Sequence, residues 1–287
     1  MPSGIQSIIN VSKHSLQALV FAGVVSLGSA VADDPVASTW QAHGEALKTR
    51  LVATAEISDD GRRLFAWEAD LEDGWKTYWR SPGEAGLPVR LFTPSGATSE
   101  AGEIDIDFPV PERFELFGME TYGYGHHVML PFRAAEDAVS FDADFMVCKE
   151  ICIPFRASYD ISSDQNPDPV AMIRLSPWLA KVPTKDESTD TGLTVTSTKV
   201  VGPVGRQRLI VELQSDQRLA NADIMAEAEG MFQFSSPKKK LLGSGNAVRM
   251  VVMVMSGNRP EDLRGKQVRL TVVDGHGTAI DRTVTVN

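Results

Sequence analysis

Cys148 and Cys152 are the two cysteines of this 287-residue chain, and they stand in the run Cys148-Lys149-Glu150-Ile151-Cys152-Ile153-Pro154. A lone, closely spaced pair delivered to an oxidising compartment can form one disulfide. Three chemistries follow from such a pair: a structural staple, a redox centre that exchanges its bond with other proteins, or, with the thiols reduced, a metal site. The last needs more ligands than two thiolates. His126, His127, Met119, Met129 and Met146 are candidates, since thiolate with thioether suits monovalent copper. Most of them have a plainer reading. Met129 and Met146 fall in strand-like runs, Met250, Met253 and Met255 read as packing residues of a later region, and an adjacent histidine pair is more often a turn or an exposed strand pair than a ligand pair. The expectation is no cofactor, with His126, Met119, Cys148 and Cys152 as the metal alternative.

The residues on either side of the pair say what positions it. Upstream, Phe141, Ala143, Phe145 and Val147 alternate with Asp142, Asp144 and Met146. Downstream, Ile153, Phe155, Ala157, Tyr159 and Ile161 alternate with Pro154, Arg156, Ser158 and Asp160. Both runs have the period of a strand with one apolar face. Folded into a hairpin about Glu150, they place Val147 opposite Ile153, Phe145 opposite Phe155 and Phe141 opposite Tyr159, so that apolar residues meet apolar residues. Cys148 then falls opposite Cys152. Opposed residues of an antiparallel pair have α-carbons roughly 4.5 to 5.5 Å apart, within disulfide reach, whereas along one continuous strand the two would be roughly 13 Å apart. The bond therefore requires the hairpin, and both sulfurs are expected on the side away from Val147 and Ile153, near the tip and accessible. As a staple such a bond is weak, since closing a five-residue loop contributes only ~2 kcal/mol against ~3 for fifteen residues. Spacing alone leaves redox exchange and a simple structural bond evenly open.

The first residues read as an export signal. Lys13 and His14 precede an apolar stretch from Leu16 to Leu27 and a small-residue site at Ala30-Val31-Ala32, with cleavage expected after Ala32. The stretch is well short of the ~20 residues needed to span a bilayer. No later segment is apolar for long enough to cross a membrane, so a periplasmic mature chain without a membrane span is expected. Composition is that of a globular protein, 43% hydrophobic and 23% charged. The formal net charge of -10 disfavours nucleic acid as a partner. The basic run Lys238-Lys239-Lys240 reads as a solvated turn after Pro237 rather than a binding patch.

Period two dominates elsewhere. Leu51, Ala53, Ala55 and Ile57 alternate cleanly, and Leu64, Ala66 and Ala69 less so, with Asp59-Asp60-Gly61 and Asp73-Gly74 as turns. Around Gln165-Asn166-Pro167-Asp168-Pro169 two prolines interrupt strand pairing. Val170, Ile173 and Trp178, through Lys181, suit one short helix that Pro183 ends. Thr184 to Asp190 reads as linker. Strand patterns resume at Leu193 to Thr196 and continue through Leu209 to Leu213, Val248 to Met255, Val268 to Val273 and Thr283 to Val286. The expected fold is all-β: two immunoglobulin-like antiparallel β-sandwich domains joined by a short helical connector. The expected boundaries are 1–32 signal peptide, 33–163 first sandwich, 164–190 connector and linker, and 191–287 second sandwich.

Several motifs carry a resemblance. Residues 74–88 (GWKTYWRSPGEAGLP), Phe108-Pro109-Val110-Pro111-Glu112-Arg113-Phe114, Tyr122-Gly123-Tyr124-Gly125, Leu130-Pro131 and 148–154 (CKEICIP) together, and in this order, resemble the periplasmic N-terminal region of DsbD-type thiol:disulfide interchange proteins. The likeness is closer to their suppressor-of-copper-sensitivity B (ScsB) branch and covers about Ala46 to Ile161. The resemblance implies an electron relay in which Cys148 and Cys152 are the redox pair. A membrane thiol reductase domain would supply electrons, and periplasmic thioredoxin-fold proteins would accept them. It implies Cys152 as the partner-bonding sulfur, with Cys148 resolving. It also implies an aromatic cap loop, for which Glu115-Leu116-Phe117-Gly118-Met119-Glu120 is the candidate, with Phe117 as the covering ring. Trp75, Tyr78 and Trp79 are candidate border residues, with Lys149 and Glu150 beside the pair, where their opposite charges give no net sign to the local field. The 287 residues carry neither the membrane domain nor the thioredoxin-like domain of that family. The expectation is thus a separate or truncated subunit that docks on a membrane partner, or a binding module, with copper tolerance as the alternative reading.

Overall fold

Strands that alternate apolar and polar residues need a partner layer for their apolar face, and here two such layers form twice. The computed structural model describes residues 37–95, 102–161, 170–185, 191–230, 232–256 and 260–287. The expected export signal and cleavage site lie outside the described residues, as do 164–169 and 186–190 of the expected connector. The first sandwich is built from β1 (Gln41–His43), β2 (Leu47–Ile57), β3 (Arg62–Leu71), β4 (Lys76–Gly83), β5 (Arg90–Thr93) and β6 (Gly102–Ile104). It continues with β7 (Glu112–Leu116), β8 (Met119–Gly125), β9 (His127–Ala135), β10 (Ser140–Cys148) and β11 (Cys152–Asp160). One sheet has the order β1-β2-β3-β9, the other β6-β5-β10-β4-β8-β7. β11 lies along the free side of β10, whose opposite side pairs with β5 at Asp142–Asp144 and with β4 at Val147 and Cys148.

Between these sheets lie Phe65, Trp67, Trp79, Leu91, Leu130, Phe132, Phe141, Phe145 and Tyr159, all buried. Their rings pack tilted, edge-on or stacked, with Phe141 5.1 Å from Phe65 and 5.4 Å from Phe132. A polar chain crosses this core: His43 Nε2 meets Thr49 Oγ1 at 2.7 Å, Thr49 meets the Tyr159 hydroxyl at 2.5 Å, and Trp67 Nε1 donates to that hydroxyl at 3.1 Å.

After the first sandwich come α1 (Ala171–Leu179) and β12 (Thr184–Lys185), then β13 (Leu193–Val201), β14 (Arg208–Ser215), β15 (Asp223–Ala228), β16 (Phe232–Phe234) and β17 (Lys238–Leu242). β18 (Ala247–Ser256), β19 (Gln267–Val273) and β20 (Ala279–Thr285) complete the chain. The second sandwich pairs a β12-β20-β19-β15 sheet with a β13-β14-β18-β16 sheet that carries β17 on β18. Its core holds Leu209, Val211, Leu213, Val248, Met250, Val252, Leu270 and Val272. The fold is therefore all-β and immunoglobulin-like, and among the described residues no helix is long and apolar enough to cross a membrane.

Three expectations are corrected, while the expected short helix forms, with Ala171 and Leu175 buried and Val170 and Ile173 facing outward. It covers the outer face of β2, β3 and β9 through Val52, Leu64, Ala66 and Met129. β3 is consequently buried on both faces over Leu64–Ala69, and that is why its alternation looks imperfect in the sequence. Thr184 and Lys185, expected as linker, pair in parallel with Ile280 and Asp281. Lys238, Lys239 and Lys240 are solvated but lie in a strand rather than a turn, a placement suited to lysines that guard strand edges. Met250 packs as expected, but Met253 and Met255 are 42% and 36% exposed, because the core of β18 takes its even-numbered residues.

Beneath α1, Glu68 and Arg50 are both buried and joined by a 2.7 Å Nε–Oε2 contact. Glu68 Oε1 also meets His127 Nε2 at 3.0 Å and Arg174 Nη1 at 3.5 Å. Burial alone would raise the Glu68 pKa, but the His127 and Arg50 contacts outweigh it and hold the carboxyl below its usual value. A depressed folded-state pKa stabilises the fold above the unfolded value, near 4.3, and that contribution is lost as pH falls through the folded value. Removing one partner leaves the other charge buried and costs about 3–5 kcal/mol. Glu68→Gln should therefore lower the urea midpoint markedly at pH 7, and the gap to the parent should close progressively below about pH 4. A gap unchanged at pH 3 would show that the carboxylate is not the stabilising species.

Candidate functional site

β10 and β11 form one ribbon whose pairing runs without a shift from Ser140↔Asp160 through Phe141↔Tyr159, Phe145↔Phe155 and Val147↔Ile153 to Cys148↔Cys152. The last pair is a disulfide, with an S–S distance of 2.03 Å and α-carbons 4.1 Å apart. Lys149, Glu150 and Ile151 make the tip, closed by a Lys149 N–H to Ile151 C=O bond of 3.1 Å. Lys149 Nζ donates to the Asp73 carbonyl at 2.9 Å, and its side-chain methylene would lie 3.0 Å from a Cβ placed on Gly74, which stands at φ +82°. The hairpin tip is thus tied to the β3–β4 turn, and Glu150 points into solvent.

The two sulfurs are unequal, which corrects the expectation that both are accessible. Cys148 is 1% exposed, packed with Tyr78, Leu116 and Met146, while Cys152 is exposed. The cause is strand position. β10 has neighbours on both sides and a cover of two side chains, whereas β11 has a single strand neighbour. Beside Cys152, Ile151 is 63% exposed. A groove of about 460 Å³ runs along the same ribbon between Leu87, Pro88, Phe145, Pro154 and Phe155.

Tyr78 lies on β4, and its hydroxyl is 3.9 Å from Cys152 Sγ. Burial raises its pKa, so the phenol is protonated at neutral pH and faces the sulfur as a potential donor. Its ring rests on Gly86, where an added Cβ would come within 2.3 Å of ring carbon, and Gly86 stands at φ +106°. At Gly123 a Cβ would meet the Thr77 carbonyl at 1.9 Å, so β8 approaches β4 closely at the position that sets Tyr78.

The cap candidates form the β7–β8 hairpin, with Leu116 opposite Met119 and Glu115 opposite Glu120. Its two-residue turn is Phe117-Gly118, at φ +53° and +78°. Both values are what a tight hairpin turn of this hand demands, and asparagine rather than phenylalanine is the usual first residue. Of this hairpin, Leu116 is the side chain that packs with Cys148. Phe117 sits at the turn, 67% exposed, because its backbone conformation takes it off the face of the ribbon that Leu116 occupies. Glu115 is exposed and Met119 half-buried.

Trp75 packs against the first core and Trp79 is wholly inside it. His126, at φ +58°, is exposed and places Nδ1 3.6 Å from Asp73 Oδ1. His127 is committed to Glu68. Among the described residues no group of three or more His, Cys, Asp or Glu side chains is arranged to hold a metal ion.

Residues 45–162 match the family described as thiol:disulfide interchange protein DsbD, N-terminal, and residues 181–287 match a domain of unknown function, DUF8393. No curated protein matches the chain. Among solved structures, the N-terminal periplasmic domain of ScsB from Proteus mirabilis is similar with a TM-score of 0.71 and 21% identity, covering 88% of this chain and 99% of that one. A marsupial T cell receptor aligns over 85% of this chain and 99% of its own at 8% identity, but its TM-score of 0.19 carries no structural argument.

Two outcomes test the site. Tyr78→Phe removes a single hydroxyl, and the loss of one hydrogen bond to sulfur should slow alkylation of reduced Cys152 at neutral pH by about two- to tenfold; an unchanged rate would mean that the hydroxyl does not act on the thiolate. Phe117→Asn should raise stability by about 0.5–1 kcal/mol in urea unfolding, since asparagine tolerates the left-handed conformation and no buried contact is lost.

Proposed function

We propose that this chain, whose residues 45–162 form a DsbD-type N-terminal domain, is a periplasmic thiol-disulfide exchange module that takes electrons from a membrane thiol reductase and passes them to thioredoxin-fold proteins. The observation that carries the reading is the asymmetry of the disulfide, with Cys152 open at a sheet edge and Cys148 buried behind it. Exchange needs one sulfur that an outside thiol can reach in line, and a second within reach of the first.

The cycle balances on those two atoms. In the reduced module the Cys152 thiolate attacks a partner disulfide, forming a mixed disulfide while one partner sulfur leaves as thiolate. Cys148, as thiolate, then attacks Cys152 Sγ, which re-forms the internal bond and releases the partner as a dithiol, two electrons richer. Reduction of the module is the reverse, with a membrane dithiol as donor. Cys148 needs no exposure for its step, because its target is the residue paired with it across the ribbon. Burial under Leu116 and Tyr78 shields the resolving sulfur from small oxidants. The exposed Ile151 and the groove along β11 give a partner apolar surface beside the reactive sulfur.

Export to the periplasm and the identity of both partners belong to this proposal. Cys148→Ser should accumulate a reducible covalent adduct with a disulfide-bearing thioredoxin-fold protein, seen as a band shift lost on reduction, and Cys152→Ser should not. Equal trapping by both variants would break the assignment of roles. No adduct from either, with any such protein or with a membrane reductase, would remove the exchange function and leave a structural bond.

A further inference from the structure

One face of β15 lies against the first sandwich, with Ser236, Thr271 and Asp281 adding contacts beside it. On β15, Ile224, Ala226 and Ala228 pack into the second core, while the alternate residues Asp223, Met225 and Glu227 point to the first sandwich. Met225 is buried within the first core. The two acids on either side of it each hold an arginine.

Both arginines stand on strands that touch the disulfide. Arg113 is on β7, three residues before Leu116. Its Nε donates to Asp223 Oδ2 at 2.7 Å, and its Nη2 donates to Asp223 Oδ1 at 3.1 Å and to the Ile224 carbonyl at 2.7 Å. Nη1 reaches Glu120, the Tyr122 hydroxyl at 2.7 Å and Ser236 Oγ at 3.3 Å. Arg80 is on β4, two residues after Tyr78, and its Nη2 donates to Glu227 Oε1 at 2.7 Å, Thr271 Oγ1 at 2.6 Å and Asp281 Oδ1 at 3.2 Å.

The ribbon register explains how one hairpin serves two surfaces. Arg113 lies opposite Tyr122 and Glu115 opposite Glu120, so these four share a face. Phe114 with Thr121, and Leu116 with Met119, share the other. One face is fastened to the second sandwich, where Ser236 also donates to Glu120. The other lays Leu116 on Cys148.

We infer that the second sandwich is a positioning domain for the redox site: through Asp223 and Arg113 it holds the β7–β8 hairpin so that Leu116 covers Cys148, and it thereby sets how readily the disulfide exchanges. The inference rests on the exchange reading and gives the domain matched by residues 181–287 a role in it. Arg113 and Asp223 are positioning residues that act through Leu116. A guanidinium with donors committed on both sides of the boundary fixes an angle as well as a distance, which a flexible lysine or a purely apolar contact would not.

The test is the rate at which dithiothreitol reduces the oxidised full chain at fixed pH, read by trapping free thiols. Leu116→Ala removes the cover directly. Asp223→Ala, which leaves every residue around the sulfurs in place, should raise the rate by about fivefold, the scale on which losing one charge contact eases a local opening. Asp223→Glu should bring it back near the parent rate. The Leu116→Ala/Asp223→Ala double variant should be no faster than Leu116→Ala, since the clamp acts through the side chain already removed. If Asp223→Ala does not fold, as judged by circular dichroism, Arg113→Lys carries the same expectation. An unchanged rate in Asp223→Ala, or additive rates in the double variant, overturns the inference whether or not Leu116→Ala is fast. The exchange reading is decided separately by the Cys148→Ser trap, which none of these outcomes affects.

Discussion

Cys148 and Cys152 can be bonded because an antiparallel ribbon turns back on itself between them, and every other property of the site follows from where that ribbon lies in its sheet. Its register is held along its length by Phe141, Phe145 and Val147 facing Tyr159, Phe155 and Ile153. A slip of one residue would carry the apolar set to the outer face and part the sulfurs at once. Core packing and sulfur chemistry are thus enforced by the same contacts. Because β10 is an inner strand and β11 an edge strand, the pair has one side inside the sheet and one outside. An exposed sulfur and a buried one result without any further device.

The short loop closed by this bond gives it little value as a staple, while its neighbours are specific. Tyr78, Leu116 and Met146 surround Cys148, and Gly86 and Gly123 leave the space in which Tyr78 and its strand must sit. Phe117, held at a left-handed φ and exposed, departs from what the turn alone would select. Departures of this kind, where local preference is overridden without a packing gain, concentrate at sites of function.

The second sandwich is joined to the first by alternation used twice. β15 gives one set of side chains to its own core and the other to its neighbour, so a six-residue strand belongs to two packing units. Ion pairs of this sort contribute modestly to stability when part-exposed, but two arginines, each with several acceptors, restrict relative orientation strongly. Both are anchored within three residues of a side chain that borders the disulfide.

The hairpin could be read from sequence because its two strands bury one face each, which leaves a clean period of two and a unique register. The strand class of most later segments was legible for the same reason. β3 was harder to read because α1 covers its outer face, and a strand buried on both sides loses its alternation. β15 carried its signal in Asp223, Met225 and Glu227, but acids at alternate positions read as solvent-facing until something is known to sit opposite them. The outward turn of Met253 and Met255 depended on which parity of β18 the core takes. Composition and spacing by themselves settled the pairing of β10 with β11 and the partner of each cysteine, since those depend on neighbours along the chain. The unequal exposure of the two sulfurs, the replacement of Phe117 by Leu116 as the contact on Cys148, and the fastening of that cover to the second sandwich were decided by tertiary structure. They depend on residues up to a hundred or more positions apart, and burial is a property of what the rest of the chain brings alongside.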